Sequence, residues 1–200
     1  MRSAVSLSAN DPVVQRCVAG EDAAWRDLHR ALYPTAIAFL RRMGVPNAEL
    51  DDVCQEVFLQ VFRYLGRFQQ RSDVTTWLYR ICISQAARLR RREKVTRALG
   101  ALFGPREAAA VQASVELDES EVGRRVRAAL ARLSPRHREV FVLYEVEGLS
   151  GEQIRHVLDI PEATVWSRLH YARLDFQQAI EAAGLDAAGA PRPRRADASR

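Results

Sequence analysis

The sequence predicts an all-α protein of two small helical domains joined by a flexible linker, the second domain carrying a helix-turn-helix. Three observations carry this reading. Apolar residues recur at helical spacing along most of the chain, and no convincing period-two strand occurs. The composition changes near Val95 to an Ala-, Gly- and acid-rich stretch containing Gly104-Pro105 and the acids Glu116, Asp118, Glu119 and Glu121, which reads as a linker. Residues 149–173, LSGEQIRHVLDIPEATVWSRLHYAR, read as a helix, a tight turn and a second helix.

The first domain is expected over residues 11–96. Trp25, Leu28 and Leu32 share a helical face, and Pro34 marks a kink or restart. Ile37, Leu40 and Met43 continue the core side until Gly44 and Pro46 close the helix. Asn47 is placed to cap the next helix, with Glu49, Asp51 and Asp52 in its favourable acidic first turns. Val53, Val57, Val61 and Leu65 form its apolar stripe, widened by Phe58 and Phe62. A polar loop from Gly66 to Thr75 precedes another helix, TWLYRICISQAARLRRREK.

Residues 97–121 are the expected linker and residues 122–183 the second domain. Val122, Val126, Leu130 and Leu133 make one amphipathic helix. Ser134 as N-cap and Pro135 at the first helical position start the next, whose core is Phe141, Val142, Leu143 and Tyr144. Gly148 ends it. Ser150 with Gln153 forms a capping box, and Ile154 and Leu158 give the following helix a buried stripe. Asp159-Ile160-Pro161 stops that helix, because Pro161 lacks an amide and disfavours helical geometry before it. The second helix of the pair turns Val165, Leu169, Ala172 and Phe176 inward. The domain is expected to be winged-helix-like or homeodomain-like. The tail, residues 184–200, is Ala-, Pro- and Arg-rich and reads as disordered.

Charge and composition bound the function. The 200 residues hold 30 Lys and Arg against 25 Asp and Glu, a net +5 that favours polyanion partners. The N-terminus lacks the apolar core of a secretory signal, and no run approaches the roughly 20 apolar residues of a membrane span, so a cytoplasmic protein is expected. Cys17, Cys54 and Cys82 are widely spaced in apolar helical settings and read as buried free thiols. The four histidines make no ligand spacing with them, so neither a metal nor another cofactor is expected. No carboxylate pair at metal spacing and no nucleophile–base set stands out, so a hydrolase or nuclease has no support.

Three surfaces carry binding chemistry. The exposed face of the last helix shows Trp166, Ser167, Arg168, His170, Tyr171 and Arg173, flat and cationic side chains suited to a DNA major groove. Arg80, Arg88, Arg90, Arg91, Arg92, Lys94 and Arg97 crowd one segment with Trp77 and Tyr79, a composition that fits single-stranded or melted DNA. Two such elements on a tether gain affinity by effective concentration. Opposite the Val53 stripe lie Asp52, Gln55, Glu56 and Leu59, a mixed acidic and apolar face wrong for DNA and plausible for a basic protein partner.

Two signatures in register then match a known family. Asp52-Val-Cys-Gln55-Glu56-Val-Phe58 followed by Thr76-Trp77-Leu78-Tyr79-Arg80-Ile81 resembles region 2 of bacterial RNA polymerase sigma factors of the extracytoplasmic-function (ECF) type. The stretch from Leu133-Ser134-Pro135 through Ser150 and Thr164-Val165 to Ala172-Arg173 resembles region 4 of the same family. The resemblance covers about residues 15–182. It implies a non-enzymatic promoter-specificity subunit. Asp52, Gln55, Glu56 and Leu59 would dock on the β′ clamp helices of core polymerase, with the β flap as a second contact. Arg67, Gln69, Gln70, Arg71 and Ser72 in the loop, with Arg80, Ser84, Gln85 and Arg88 on the helix, would hold the unwound −10 element. Trp77 would be a pillar beneath them. Ser150, Thr164, Trp166, Ser167, Arg168, His170, Tyr171 and Arg173 would meet the −35 element. An anti-sigma partner, often membrane-anchored in the family, is implied, with no membrane insertion of this chain. Ser84, Gln70-Arg71 and Trp166 depart from the Asn, Gly-Asp and Arg that many relatives carry there. A stand-alone helix-turn-helix regulator accounts for residues 122–183 but not for Gln55-Glu56 or the Trp77–Lys94 segment.

Overall fold

The computed structural model describes residues 7–8, 10–68, 73–103 and 121–182. All regular elements among them are helical. In order they are α1 (Pro12–Val18), α2 (Asp22–Arg42), α3 (Leu50–Tyr64), α4 (Val74–Phe103), α5 (Glu121–Arg132), α6 (Pro135–Phe141), α7 (Gly151–Leu158) and α8 (Glu162–Ala182).

Local chemistry explains most boundaries. α1 has no counterpart in the expected elements. Asp11 caps it by accepting from the Val13 amide at 2.9 Å, and Pro12 occupies the first turn, where no amide is needed. α2 runs unbroken through Pro34 to Arg42, and just beyond it Gly44, with φ of +85°, lets Val45 bond back to the Leu40 carbonyl. Asn47 heads a short 3₁₀ turn, Asn47–Glu49, rather than capping α3, which begins without a side-chain cap. α4 continues past the expected boundary at Thr96 to Phe103, carried by helix formers such as Ala98 and Leu99.

In the second block, Ser134 accepts from the His137 amide and Pro135 follows it. α6 widens into a π-helical turn over Val142–Val146. The capping box is present: the Ser150 amide donates to Gln153 Oε1 at 2.8 Å and the Gln153 amide to Ser150 Oγ at 3.2 Å. α7 stops at Asp159, which takes a left-handed conformation with φ of +52°. Asx residues tolerate that region best after glycine, so the turn of the helix-turn-helix is built by Asp159 together with Pro161.

The main core is one continuous cluster, with a small second one of Ala129, Ala179 and Ile180 between α5 and α8. The main cluster joins Leu28, Leu40, Met43, Val57, Leu78 and Cys82 of the first block to Leu130, Val140, Leu143, Ile154, Val165 and Leu169 of the second. Each such side chain contributes about 2 kcal/mol by leaving water. α4 lies against α7, so the two blocks pack on one another. Cys17, Cys54 and Cys82 are buried free thiols, as expected. No described helix is long and apolar enough to cross a membrane.

Candidate functional site

The first surface is on α3. Val53, Cys54, Val57 and Val61 point inward, which turns Asp52, Gln55, Glu56 and Leu59 to the outside at i, i+3, i+4 and i+7. Leu59 is 41% exposed. Phe62 is 60% exposed and does not complete the buried stripe that its spacing suggested. Its ring lies tilted against Trp25 with centroids 4.7 Å apart, while His29 meets Phe58 at 4.3 Å. Together with Tyr33, whose hydroxyl donates to Asp51 at 3.1 Å, these rings line an apolar groove between α2 and α3 beside the acidic stripe. Sequence periodicity missed the groove, because a stripe wider than one helix face must spill onto the surface.

The second surface is on α4. Arg80, Ser84 and Arg88 stand exposed on one face, one turn apart. Gln85 does not join them. It is 6% exposed and borders the groove between α3 and α4 with Val53 and Glu56. Helix geometry accounts for this correction: Gln85 is four residues from both Ile81 and Leu89, which are buried. The arginine run divides by partner. Arg92 pairs with Glu49 at 2.8 Å and Arg90 with Glu139 of α6 at 3.1 Å. Trp77 is half-buried against Phe68 at 5.3 Å, a supporting position.

Of the loop residues, Gln69, Gln70, Arg71 and Ser72 lie outside the described residues, as does the side chain of Arg67, whose backbone closes the turn Leu65–Arg67. Thr75, a hydrogen-bonding group in the same stretch, is buried and accepts from the Leu7 amide at 3.2 Å. The Val74 amide donates to the Leu7 carbonyl, so the N-terminal segment pins the start of α4.

The third surface is α8. Trp166, Ser167, His170, Tyr171 and Arg173 are exposed, and Thr164 and Arg168 half-buried. Ser150 is exposed and committed to its capping box. Most of these side chains are held by their own domain. Trp166, 44% exposed, lies over Gly151, where a Cβ would come within 2.5 Å of its ring, and meets Tyr144 edgewise at 5.6 Å. Arg173 donates to Glu145 at 2.7 Å and sits 5.4 Å above the Tyr144 ring. Ser167 donates to the Thr164 carbonyl at 3.1 Å. Tyr171 stacks with His137, whose Nδ1 lies 2.7 Å from Asp175.

Arg138 is a structural residue that composition hid. Its guanidinium donates to the carbonyls of Leu130, Ala131 and Leu133 at the end of α5, and to that of Met43 beyond α2. A cation there satisfies orphan carbonyls and the negative pole of both helices. Burial, then neighbouring Arg90, lowers its pKa. Burial raises that of Glu139, against the opposing pull of Arg90.

Residues 28–96 match the family described as Sigma-70 region 2, and residues 123–176 that described as Sigma-70, region 4. RNA polymerase sigma factor CarQ of Myxococcus xanthus is 33% identical over 153 residues, covering 76% of this chain and 86% of the relative. The RNA polymerase sigma-H factor of Pseudomonas aeruginosa is 32% identical over 178 residues, covering 84% and 92%. The ECF RNA polymerase sigma-E factor of Escherichia coli K12 is 29% identical over 170 residues, covering 80% and 88%. Among solved structures, CnrH in complex with the cytosolic domain of CnrY superposes with a TM-score of 0.62 at 23% identity, over 85% of this chain and 96% of that one. RpoE in complex with the anti-sigma factor NepR from Bartonella quintana gives 0.59 at 20% identity, over 78% and 98%. These two structures share the fold.

Proposed function

The chain belongs to the sigma-70 family of RNA polymerase sigma factors, of the ECF type, and from that premise we propose how its surfaces divide the work of initiation. Asp52, Gln55, Glu56 and Leu59 dock on core polymerase at the β′ clamp helices, and the second block meets the β flap. An acidic and apolar stripe pairs with a basic partner helix, which fixes orientation and speeds encounter. The single observation that carries this is the exposure of that stripe on a helix whose other face is buried.

Arg80 and Arg88 neutralise phosphates of the unwound −10 strand, and Ser84 reaches a base edge between them. Arg67, Gln69, Gln70, Arg71 and Ser72 form the rim that receives a flipped base, which leaves a melted strand far more cheaply than a duplex. Gln85 acts from beneath, as a buried polar support of α4. On the −35 element, Arg168 approaches bases near the start of α8, with Thr164, Ser167, His170 and Tyr171 around it. Arg173 makes a backbone contact after exchanging Glu145 for a phosphate. Trp166 presents the free part of its indole to a thymine methyl or the sugar–phosphate wall. Ser150 supports the start of α7.

The protein acts by binding and supplies no catalytic group, metal or cofactor. It works in the cytoplasm, where its polymerase is. An anti-sigma protein that covers these surfaces is its silencing partner, by analogy with the complexes named for CnrH and RpoE. The test is permanganate reactivity of unpaired promoter thymines with core polymerase present. Opening that depends on this protein, and that changes with substitution at Ser84 or in the 69–72 loop, is expected. Opening at any −10 sequence regardless of those residues contradicts the reading.

A further inference from the structure

Arginines gather in a pocket that lies outside the three binding surfaces. It encloses about 360 Å³ and is lined by the end of α2 with the turn after it, by α5, and by one side chain of α6. Arg41 and Arg42 come from α2, Arg124 and Arg127 from α5, and Arg138 from α6. No carboxylate lines it among the described residues. Like charges gathered this closely repel, more strongly where water is excluded. An anion placed among them turns that repulsion into attraction.

Most of these cations are engaged. Arg42 donates to Glu147 Oε1 at 2.7 Å, and the same carboxylate, 5% exposed, accepts from the Tyr79 hydroxyl at 2.6 Å. Arg138 holds the carbonyls at the end of α5 and that of Met43, and Gly44 lets it approach, because a Cβ there would run into the guanidinium. Those bonds also cancel the negative poles of α2 and α5, which would otherwise repel an anion. Arg124 and Arg127 are engaged as well and add their field. Arg41 differs: its Nε is buried and has no hydrogen-bond partner, the one such side-chain atom among the described residues. A buried N–H without an acceptor costs free energy, and a ligand position left open is one of the few reasons to keep one.

We propose that this pocket binds a small anion of two or more linked phosphates, with Arg41 as its central ligand. Guanidinium forks meet phosphate oxygens in pairs, and linked phosphates bring enough charge to answer several arginines at once. The volume is at the small end of ligand sites, roughly 300–1,000 Å³. The charges converge on one spot from three helices, whereas a nucleic-acid backbone, with its phosphates in a row, is met by a stripe such as Arg80 and Arg88. None of the residues assigned to polymerase, −10 or −35 contacts lines the pocket, so the site stands apart from those surfaces. Inorganic polyphosphate and nucleotides share the phosphate chain that it would recognise.

Isothermal titration calorimetry on the full chain at fixed ionic strength tests it, with tripolyphosphate, adenosine and guanosine triphosphates, and inorganic phosphate. Tripolyphosphate should bind once per chain, at least about tenfold more tightly than inorganic phosphate. Arg41→Gln should weaken it about tenfold, and Arg41→Lys, which keeps the charge but not the fork, by less. Arg30→Gln should bind as wild type, since Arg30 is an 80% exposed cation roughly 16 Å back along α2. Should Arg41→Gln lose helicity in circular dichroism, Arg124→Gln at an exposed position decides, with a several-fold loss expected. Tighter binding of a nucleotide than of tripolyphosphate would identify nucleotides as the source, and equal binding an inorganic chain; both support the site. Tripolyphosphate binding no tighter than inorganic phosphate, more than one bound per chain, or equal losses in Arg41→Gln and Arg30→Gln would overturn it. So would a random-sequence duplex that competes tripolyphosphate away and itself binds Arg41→Gln about tenfold more weakly, which would give the pocket to a nucleic-acid backbone.

Discussion

Helices α3 and α8 each carry a binding face, and they hold it in opposite ways. On α3, Asp52, Gln55 and Glu56 stand exposed with no hydrogen-bond or ion-pair partner among the described residues. On α8, Trp166 rests on Gly151, Arg173 is tied to Glu145, and Tyr171 stacks on His137. A face left uncommitted meets its partner with its full charge and little internal rearrangement. A face braced from behind is pre-organised, and some of its contacts must be exchanged on binding.

The largest effect is expected where nothing internal is at stake. Gln55→Ala with Glu56→Lys should weaken binding to core polymerase by about 3 kcal/mol, roughly a hundredfold, with unchanged circular dichroism. Equilibrium binding to labelled core polymerase measures it, and undiminished affinity would break the contrast. On the braced face the same kind of change should first cost stability. Gly151→Val should destabilise by about 1–3 kcal/mol in thermal unfolding, since the new side chain overlaps the Trp166 ring. Adding Trp166→Ala should recover part of that loss. Strict additivity of the two would show that the indole does not brace the α7–α8 junction.

A smaller effect sharpens the exchange at Arg173. Its pair with Glu145 is half-exposed, with side-chain exposures of 54% and 33%, so it contributes at most about 1 kcal/mol. Glu145→Gln should release the arginine and tighten binding to any duplex, whereas Arg173→Ala should loosen it and flatten the salt slope by about one. Fluorescence anisotropy at several salt concentrations separates them. Equal effects of the two changes would remove Arg173 from the DNA face.

A pH dependence of stability is expected at the block boundary and in the core beneath it. Burial first, then the hydrogen bond to Glu147, raises the Tyr79 hydroxyl above the ordinary tyrosine value. A folded pKa above the unfolded one leaves its stabilisation intact below about pH 10 and removes it as pH climbs further. Burial likewise pushes Cys54 up to about 12 and Cys82 well up, in the same direction. Stability should therefore fall on the alkaline limb, and Tyr79→Phe should flatten that limb without abolishing it. Denaturant midpoints across the alkaline range check this, and an unchanged slope would contradict it.

The contrast between the two helices also marks what was legible in the sequence. Local chemistry was readable: Ser150 with Gln153, Ser134 with Pro135, Gly44, and the alternation that turns Asp52, Gln55 and Glu56 outward all follow from spacing and side-chain type. Gln85 is polar, yet its place between Ile81 and Leu89 on the helix buries it. Phe62 is the reverse case, an apolar residue at the edge of a stripe that stays on the surface. Arg138, Glu147 and the bracing of Arg173 were invisible, because each depends on a partner brought near only by folding. Asn47 shows the same limit at short range, where a 3₁₀ turn replaces the expected cap, and Thr75 at the end of the polar loop is taken by the Leu7 amide.

The most direct test of the central assignment is run-off transcription with core polymerase and a genomic promoter library, comparing wild type with the Gln55→Ala, Glu56→Lys variant. Wild type should produce discrete transcripts from a restricted promoter set, and the variant, folded as judged by circular dichroism, should produce few or none. Transcripts equal with and without the protein, or undiminished with the variant, would contradict an account in which this stripe on α3 brings polymerase to its promoters.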